Sequence, residues 1–142
     1  MKVKKILLSE LNSNLKKSYD LFICSNSFEE RCLSVAHEID KGKLKSVLIL
    51  SYYENKIYTD KNLKSLKSTF MNNKEIIYLS IDNPLSSVDR ISEYFFNLTE
   101  GEKIKSILID ITTFTHEFLL IIIRLFMIYF PNVKITVLYT NA

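Results

Sequence analysis

The chain contains very little glycine: Gly42 and Gly101 are the two glycines among its 142 residues, and they lie 59 positions apart. A Walker loop and a kinase glycine-rich loop each need glycines close together, and a dinucleotide-binding fingerprint needs three in a G-x-G-x-x-G pattern. Both glycines suit the end of a helix instead. The sequence therefore excludes a glycine-rich phosphate-binding loop, so a ligand must be held by polar side chains and helix N-termini.

Cysteine, arginine and long apolar runs are also scarce. Cys24 and Cys32 are too few for a disulfide framework and lack metal-site spacing, which predicts a cytoplasmic protein without a bound metal. A formal net charge of +3 with three arginines argues against nucleic-acid binding. The most apolar stretch, residues 118–130, includes Arg124 and is shorter than the roughly 20 residues of a membrane span. We therefore expect no membrane segment, and no motif predicts a cofactor.

Strand-like and helix-like patterns alternate along the chain. Between the strand-like runs, apolar residues recur at helical spacing. This alternation predicts one Rossmann-like α/β domain over residues 1–142, with three layers, about five mainly parallel strands and helices on both faces. The first 19 residues fit either an edge strand or an arm, and the domain also fits a fragment of, or a subunit in, a larger assembly. The predicted strands cover residues 20–25, 45–52, 75–81, 105–111 and 133–139.

Capping residues predict where the helices begin and end. Ser27 with Glu30 three residues later forms a capping box, which predicts a helix that begins after strand one and ends at Gly42. Asp60 is the predicted start of the next helix. The other helix boundaries are predicted from Asn83–Pro84, Gly101, Thr115 and Pro131.

The run FLLIIIRLFMIYF at residues 118–130 is apolar nearly all round. A helix that covers one face of a sheet needs a single apolar stripe. The outer side of this helix therefore predicts a partner, either a second copy in a homo-oligomer or a partner subunit. One alternative function follows: a non-catalytic scaffold subunit that docks its partner through the helix at residues 116–130.

Small polar side chains follow two of the predicted strands. Open parallel sheets bind ligands beyond the carboxyl ends of their strands, where the strand order reverses, and strands one and four are neighbours there in the commonest order. Each of these strands also leads into a helix N-terminus, which favours an anionic or polar ligand. We therefore predict a binding site for a nucleotide-like ligand. Its candidate residues are Ser25, Asn26, Ser27, Asp110, Thr112, Thr113, Thr115 and His116.

Residues 110–118 (DITTFTHEF) resemble the strand-four motif of CRISPR-associated Rossmann-fold (CARF-like) sensor domains. In that family an apolar strand ends in a loop of the Thr-Gly-Gly-Thr-Lys type that binds cyclic oligonucleotides. The match runs from Thr112 to His116, with Thr113 and Phe114 at the glycine positions. The resemblance implies a regulatory domain that senses a nucleotide second messenger in a bacterial defence or signalling system, and that binds it as a dimer across a two-fold axis.

Two enzymatic alternatives rest on the same loops. A nucleoside- or NAD-cleaving enzyme needs a carboxylate beside the ribose, which Glu29, Glu30 or Glu117 could supply. The loop CSNSFEER also resembles the start of low-molecular-weight tyrosine phosphatases, with Cys24 at the strand end and Arg31 after six intervening residues instead of five. That resemblance implies a cysteine nucleophile activated at a helix N-terminus.

Overall fold

Five parallel strands form the middle layer of the computed structural model, which describes residues 2–54, 56–101 and 103–141. The strand order within these residues is β3-β2-β1-β4-β5, and every neighbouring pair is parallel. The predicted Rossmann-like α/β fold with one parallel sheet is confirmed. The strands are β1 (Tyr19–Ser25), β2 (Leu44–Tyr52), β3 (Lys74–Leu79), β4 (Ser106–Asp110) and β5 (Lys134–Leu138). The helices are α1 (Leu11–Asn14), α2 (Ser34–Glu38), α3 (Lys56–Thr69), α4 (Pro84–Gly101) and α5 (His116–Tyr129).

The central strand β1 is buried on both faces because helices cover the sheet from both sides. Leu21 and Ile23 pack with α4 and α5, whereas Phe22 packs with α2 and α3 on the opposite face. The rings of Phe95 in α4 and Phe130 after α5 lie 5.1 Å apart in the core that α4 and α5 form with the sheet. A continuous apolar run is the pattern expected of a strand covered on both faces.

The segment before β1 forms an arm. Residues 2–7 have no regular secondary structure, a single 3-10 turn covers Leu8–Glu10, and α1 follows directly. Leu11 is buried in the core beneath α2, which anchors the arm on the face of the sheet. Of the two alternatives for this segment, the structure contains the arm and not the edge strand.

Three predicted helix boundaries are wrong. The backbone remains extended at Glu29 and then forms a 3-10 turn, Glu30–Leu33, so the predicted Ser27–Glu30 capping box is absent and α2 begins at Ser34. Gly42 lies inside a later 3-10 turn, where its N–H donates to the Asp40 carboxylate, instead of ending α2. Asp60 lies within α3, because that helix already includes Lys56.

Other predicted boundaries are confirmed. The Asn83 side chain accepts a hydrogen bond from the Ser86 N–H at 3.1 Å, with Pro84 as the first residue of α4. The Thr115 hydroxyl accepts from the Phe118 N–H at 3.2 Å and caps α5. These caps satisfy N–H groups that the first turn of a helix leaves unpaired.

Asp20 ties the start of β1 to β4. Its carboxylate accepts hydrogen bonds from the N–H groups of Lys105 at 2.8 Å and Ser106 at 3.2 Å, and it forms an ion pair with Lys45 at 3.1 Å. Partial burial acts to raise the pKa of Asp20, but these hydrogen bonds outweigh it and the pKa is lowered. The central strand is therefore held to both of its neighbours at one residue.

Candidate functional site

The strand order reverses between β1 and β4. From β1 the chain proceeds outward through β2 and β3 on one side, and β4 and β5 occupy the other side. The loops that leave β1 and β4 therefore diverge to opposite faces of the sheet, which is the position of ligand sites in open parallel sheets. The structure brings together the two polar clusters that were identified in the sequence.

Asp110 is the buried acid of this region, with 2% of its surface exposed at the end of β4. Its Oδ1 atom accepts hydrogen bonds from the Thr112 N–H at 3.1 Å and from the Thr112 hydroxyl. Burial raises the pKa of Asp110 to about 6, against the opposing effect of the two Thr112 hydrogen bonds. A carboxyl with a pKa this close to neutrality can exchange a proton in response to a ligand.

Two threonines connect the β4 loop to the surrounding loops. The Thr113 hydroxyl donates to the Ser25 carbonyl of β1 at 3.2 Å. The Thr112 hydroxyl accepts from the Thr140 N–H at 3.0 Å, and the Thr140 carbonyl accepts from Arg31 at 3.0 Å. A chain of hydrogen bonds thus runs from Asp110 to the loop after β1, so the strand ends are held as one unit.

Asn26 follows β1 and is turned towards β2 and α3. Its amide nitrogen donates to the Ser51 hydroxyl at 3.0 Å and to the Thr59 carbonyl at 3.2 Å. The carbonyl acceptor fixes which end of the amide is nitrogen, since only the NH₂ group can donate to it. Asn26 is 4% exposed, and its Oδ1 atom has no hydrogen-bond partner among the residues that the structure describes. A buried amide oxygen in this state favours any donor that can reach it.

The remaining predicted residues form an open rim around these buried groups. Ser27 and Thr113 are half-buried, whereas Thr115 and His116 are exposed at the start of α5. The Ser27 hydroxyl accepts from the Glu29 N–H at 3.2 Å, and its carbonyl accepts from the Asn62 side chain at 2.8 Å. The site therefore has a buried polar floor and an accessible rim at a helix N-terminus.

Several residues at the site belong to elements that the sequence pattern did not connect with it. Thr59 and Asn62 come from α3, and they face the β1 loop because α3 crosses it. Tyr52 ends β2 and packs its ring edge-on against Phe118 at 6.3 Å. Burial raises the pKa of Tyr52, partly offset by its hydrogen bond with Thr115. Ser51 and Tyr52 are the last residues of the predicted strand 45–52, and their place at a strand end is the signal that could connect them with the rim. Thr59 and Asn62 have no such signal.

The three candidate glutamates lie on the rim and not on the buried floor. The Glu29 carboxylate is held by Arg31 at 2.6 Å, and both side chains are half-buried. Glu30 is exposed and lies 4.0 Å from the Lys61 ammonium. Glu117 is exposed in the first turn of α5. The structure does not bring the three carboxylates together, and Asp110 is the buried acid at the strand ends.

The two cysteines are buried thiols. Burial, with a smaller contribution from Asp110, raises the pKa of Cys24 well above its ordinary value. Burial also raises the pKa of Cys32 to about 11, and its thiol donates to the Ser27 carbonyl at 3.7 Å. A thiolate nucleophile requires the opposite shift. The phosphatase-like reading of the β1 loop therefore lacks its nucleophile.

No protein-family model and no curated protein matches the chain. Among residues 2–54, 56–101 and 103–141, no group of three or more His, Cys, Asp or Glu side chains is arranged to hold a metal ion. Within the same described residues, no helix is long and apolar enough to cross a membrane.

Proposed function

We propose that this domain is a ligand-binding, regulatory domain that senses a nucleotide-type ligand at the ends of β1 and β4 and works within an oligomer. One observation carries the proposal: a buried carboxyl, Asp110, lies on a neighbouring strand end to Asn26, whose buried amide oxygen has no partner among the described residues. Both lie where the strand order reverses, which is the usual ligand position in this architecture.

The buried floor favours a ligand that donates hydrogen bonds. Asn26 Oδ1 accepts hydrogen bonds only, and Asp110 also does so once it is ionised. Amino groups of a nucleobase and hydroxyls of a ribose are donors of suitable size. A phosphate would be repelled by the ionised Asp110 carboxylate, so the floor is suited to the nucleoside part of the ligand.

The rim favours the phosphate part of the same ligand. The N-terminus of α5 has the positive end of the helix dipole, and α5 is 14 residues long. His116, which is exposed in the first turn of α5, supplies a side-chain donor at this end. The resemblance of residues 110–118 to CARF-like sensors supports a second messenger as the ligand, in a bacterial defence or signalling system.

Thermal unfolding with a panel of cyclic oligonucleotides, mononucleotides and NAD tests this proposal. Binding to the folded state alone raises the free energy of unfolding by about 2.7 kcal/mol at a ligand concentration of 100 Kd. We expect at least one nucleotide to raise the melting temperature, whereas ribose 5-phosphate and inorganic phosphate have much smaller effects. No shift with any nucleotide at millimolar concentration would contradict the proposal.

The two histidines of the chain provide a matched pair of variants. His116 lies on the rim, whereas His37 is exposed on α2 and bonds Ser65 at 2.9 Å. His116→Gln should weaken binding of the nucleotide about tenfold through the loss of a phosphate contact. His37→Gln should leave the affinity unchanged. Equal affinities for the two variants would remove His116 from the site.

A second candidate function is cleavage of a nucleoside or NAD. The observation that favours it is the Asp110 carboxyl, whose pKa of about 6 suits proton transfer near neutral pH. Turnover that is lost in Asp110→Asn while binding persists would identify an enzyme. Turnover lost instead in Glu29→Gln, Glu30→Gln or Glu117→Gln would assign the reaction to the rim carboxylates.

A further inference from the structure

The outer side of α5 and the outer side of β5 form one apolar surface. Leu120 and Met127 on α5 are 68% and 60% exposed, and Val137 on β5 is 55% exposed. Between the two elements lies a groove of about 340 Å³ that is lined by apolar residues throughout, including Ile123 and Ile135. Apolar surface of this extent usually marks an interface in a globular protein.

The backbone of β5 has an open edge. The Lys134 N–H donates to the Lys105 carbonyl, and the Leu138 carbonyl accepts from the Ile111 N–H, so both residues face β4. Parallel strands direct alternate residues to opposite edges, which turns the N–H and C=O groups of Ile135 and Val137 outward. In the described part of the chain no strand lies beyond β5. An open edge of this kind is a template for a further strand.

We propose that a second copy of this chain covers the surface, with β5 pairing antiparallel to its own copy across a two-fold axis at Thr136. In this register Ile135 lies opposite Val137 of the partner subunit, and these outward-facing residues exchange the hydrogen bonds. Thr136 lies opposite Thr136 of the partner subunit in a non-hydrogen-bonded pair. The two sheets then form one continuous sheet of both copies.

The groove lies where this arrangement would bring the two α5 helices together. A two-fold axis perpendicular to the sheet keeps both copies of α5 on the same face. Neighbouring strands lie about 4.8 Å apart, and packed helices lie about 8–10 Å apart. A helix above the boundary of β4 and β5 therefore meets its copy at packing distance above the paired β5 strands. Ile123 and Met127 line the groove and would fill the space between the two helices.

A second copy also fits the charge of the β5 edge and the exposed apolar side chains beside it. Lys134, the charged residue of β5, would lie opposite Leu138 of the partner subunit, so no like charges are paired. Leu120, Met127 and Val137 are each more than half exposed, and a second copy would cover these side chains together with the backbone edge of β5. A stable interface buries about 800 Å² per partner, to which apolar side chains and paired backbone both contribute. The surface is thus complementary to itself, as a two-fold interface requires.

This dimer extends the oligomer part of the proposed function but does not depend on the ligand. Antiparallel pairing places the carboxyl ends of the two halves of the sheet on opposite sides. Each chain would then bind its own ligand, with one ligand per chain and no ligand shared across the two-fold axis. A failed ligand screen leaves the dimer intact, and a monomeric protein can still bind nucleotide, so the two proposals fail separately.

Cysteine cross-linking tests the dimer and its register. In a non-hydrogen-bonded antiparallel pair the Cα atoms lie about 4.5 Å apart, within the range of a disulfide. Thr136→Cys should therefore yield a covalent dimer under mild oxidation. Lys134→Cys is the matched control, because its copy would lie roughly 13 Å away, four residues along the strands. The native cysteines are buried and do not compete.

Light scattering of the unmodified chain over a dilution series completes the test. We expect twice the chain mass at micromolar concentration, with or without nucleotide. A stable monomer at high micromolar concentration would overturn the proposal even if Thr136→Cys failed to fold. A dimer in which Lys134→Cys cross-links as well as Thr136→Cys would overturn the register. One nucleotide bound per dimer would overturn the placement of the two sites.

Discussion

The two edges of the sheet are built differently. At the β3 edge, Arg90 of α4 donates to the outward Tyr78 carbonyl at 3.1 Å, and its guanidinium lies 5.8 Å from the centre of the Tyr53 ring. Lys74 and Glu75 add charges to this strand. At the β5 edge, Ile135 and Val137 direct their backbone outward, and Lys134 at the start is the one charged residue of the strand. Natural proteins protect exposed edges with charge and side-chain cover, so the unprotected edge is the one expected to have a partner.

The helices above the two edges repeat this contrast. Both α4 and α5 pack on the same face of the sheet through buried phenylalanines, Phe95 and Phe126, whose rings lie 5.8 Å apart. The outer side of α4 has Asp89, Arg90 and Glu93, as a helix in contact with water requires. The outer side of α5 is mainly leucine, isoleucine and methionine, with the exposed Arg124 as the charge in its middle. Covering the sheet explains one apolar stripe on each helix, and only α5 has a second.

Of the changes that test this contrast between the two edges, a charge on the outer side of α5 should have the largest effect, because it should dissociate the dimer. Met127→Glu puts a carboxylate where we expect α5 to meet its copy, and the cost of burying it should weaken the dimer at least about 100-fold. Phe96→Glu on α4 is the matched control, since Phe96 is a large apolar residue that is 52% exposed. Analytical ultracentrifugation should detect monomers for the first variant and dimers for the second. Dissociation by Phe96→Glu would assign the interface to α4.

A pH titration should distinguish two carboxylates in the two halves of the sheet. The hydrogen bond from Ser80, with the N–H groups of Ile81 and Asp82, lowers the pKa of Glu54 beside β3. Burial raises the pKa of Asp110 to about 6 at the end of β4. Glu54 therefore stabilises the fold at pH values above 4.5, its ordinary pKa, and this stabilisation is lost as the pH falls. The contribution of Asp110 to the stability of the fold is complete below pH 3.8, its ordinary pKa, and is lost as the pH rises to about 6.

Variants that replace each carboxylate by an amide of the same shape separate these two opposite pH dependences of stability. Asp110→Asn should gain stability relative to the unmodified chain between pH 4 and 6, by on the order of 1–3 kcal/mol. Glu54→Gln should be less stable than the unmodified chain at pH 7, and the difference should shrink below pH 4.5. Urea unfolding at several pH values measures both. An Asp110→Asn difference that does not change with pH would show that Asp110 titrates as in the unfolded chain.

Removal of the Arg90 side chain, which covers the open edge of β3, should have the smallest effect on stability. Arg90→Ala removes the hydrogen bond to the Tyr78 carbonyl and the contact with Tyr53, which together should cost about 1 kcal/mol. Glu93→Ala lies one turn further along the exposed side of α4 and serves as the control. We expect the Arg90 variant to aggregate faster at high concentration, as static light scattering would show. Identical behaviour of the two variants would mean that Arg90 does not protect this edge.

The order of elements could be predicted from the sequence because burial on both faces leaves a plain apolar run. DLFICS and KSILID lead directly to β1 and β4, and Thr115 leads to the start of α5. The start of α2 could not be predicted. Ser27 has the pattern of a cap, but Asn62, distant in sequence, binds its carbonyl while the backbone stays extended to Glu29. A long-range contact of this kind leaves no local pattern.

The site shows the same division. The polar residues after β1 and β4 could be found because strand ends and helix starts are local features. The burial of these residues could not be predicted. Asp110 is a buried acid, and the Asn26 amide is turned towards α3, where its oxygen has no partner among the described residues. Burial is a property of the whole fold, so the sequence indicated which groups were available but not which would be displaced from water.

The bonds of Asp20 also bear on the order of folding. β1 can pair with β2 soon after both are made, but its other edge waits for Lys105 and Ser106, which are 85 and 86 residues later. Until then the most apolar strand of the sheet has an open edge in a half-synthesised chain. Pairing across so long a separation is slow and leaves the waiting strand prone to association. Asp20 places a charge at the start of that strand, and a charge at an open strand edge disfavours pairing with another chain. The residue that later joins β1 to β4 therefore also acts against association of the incomplete sheet.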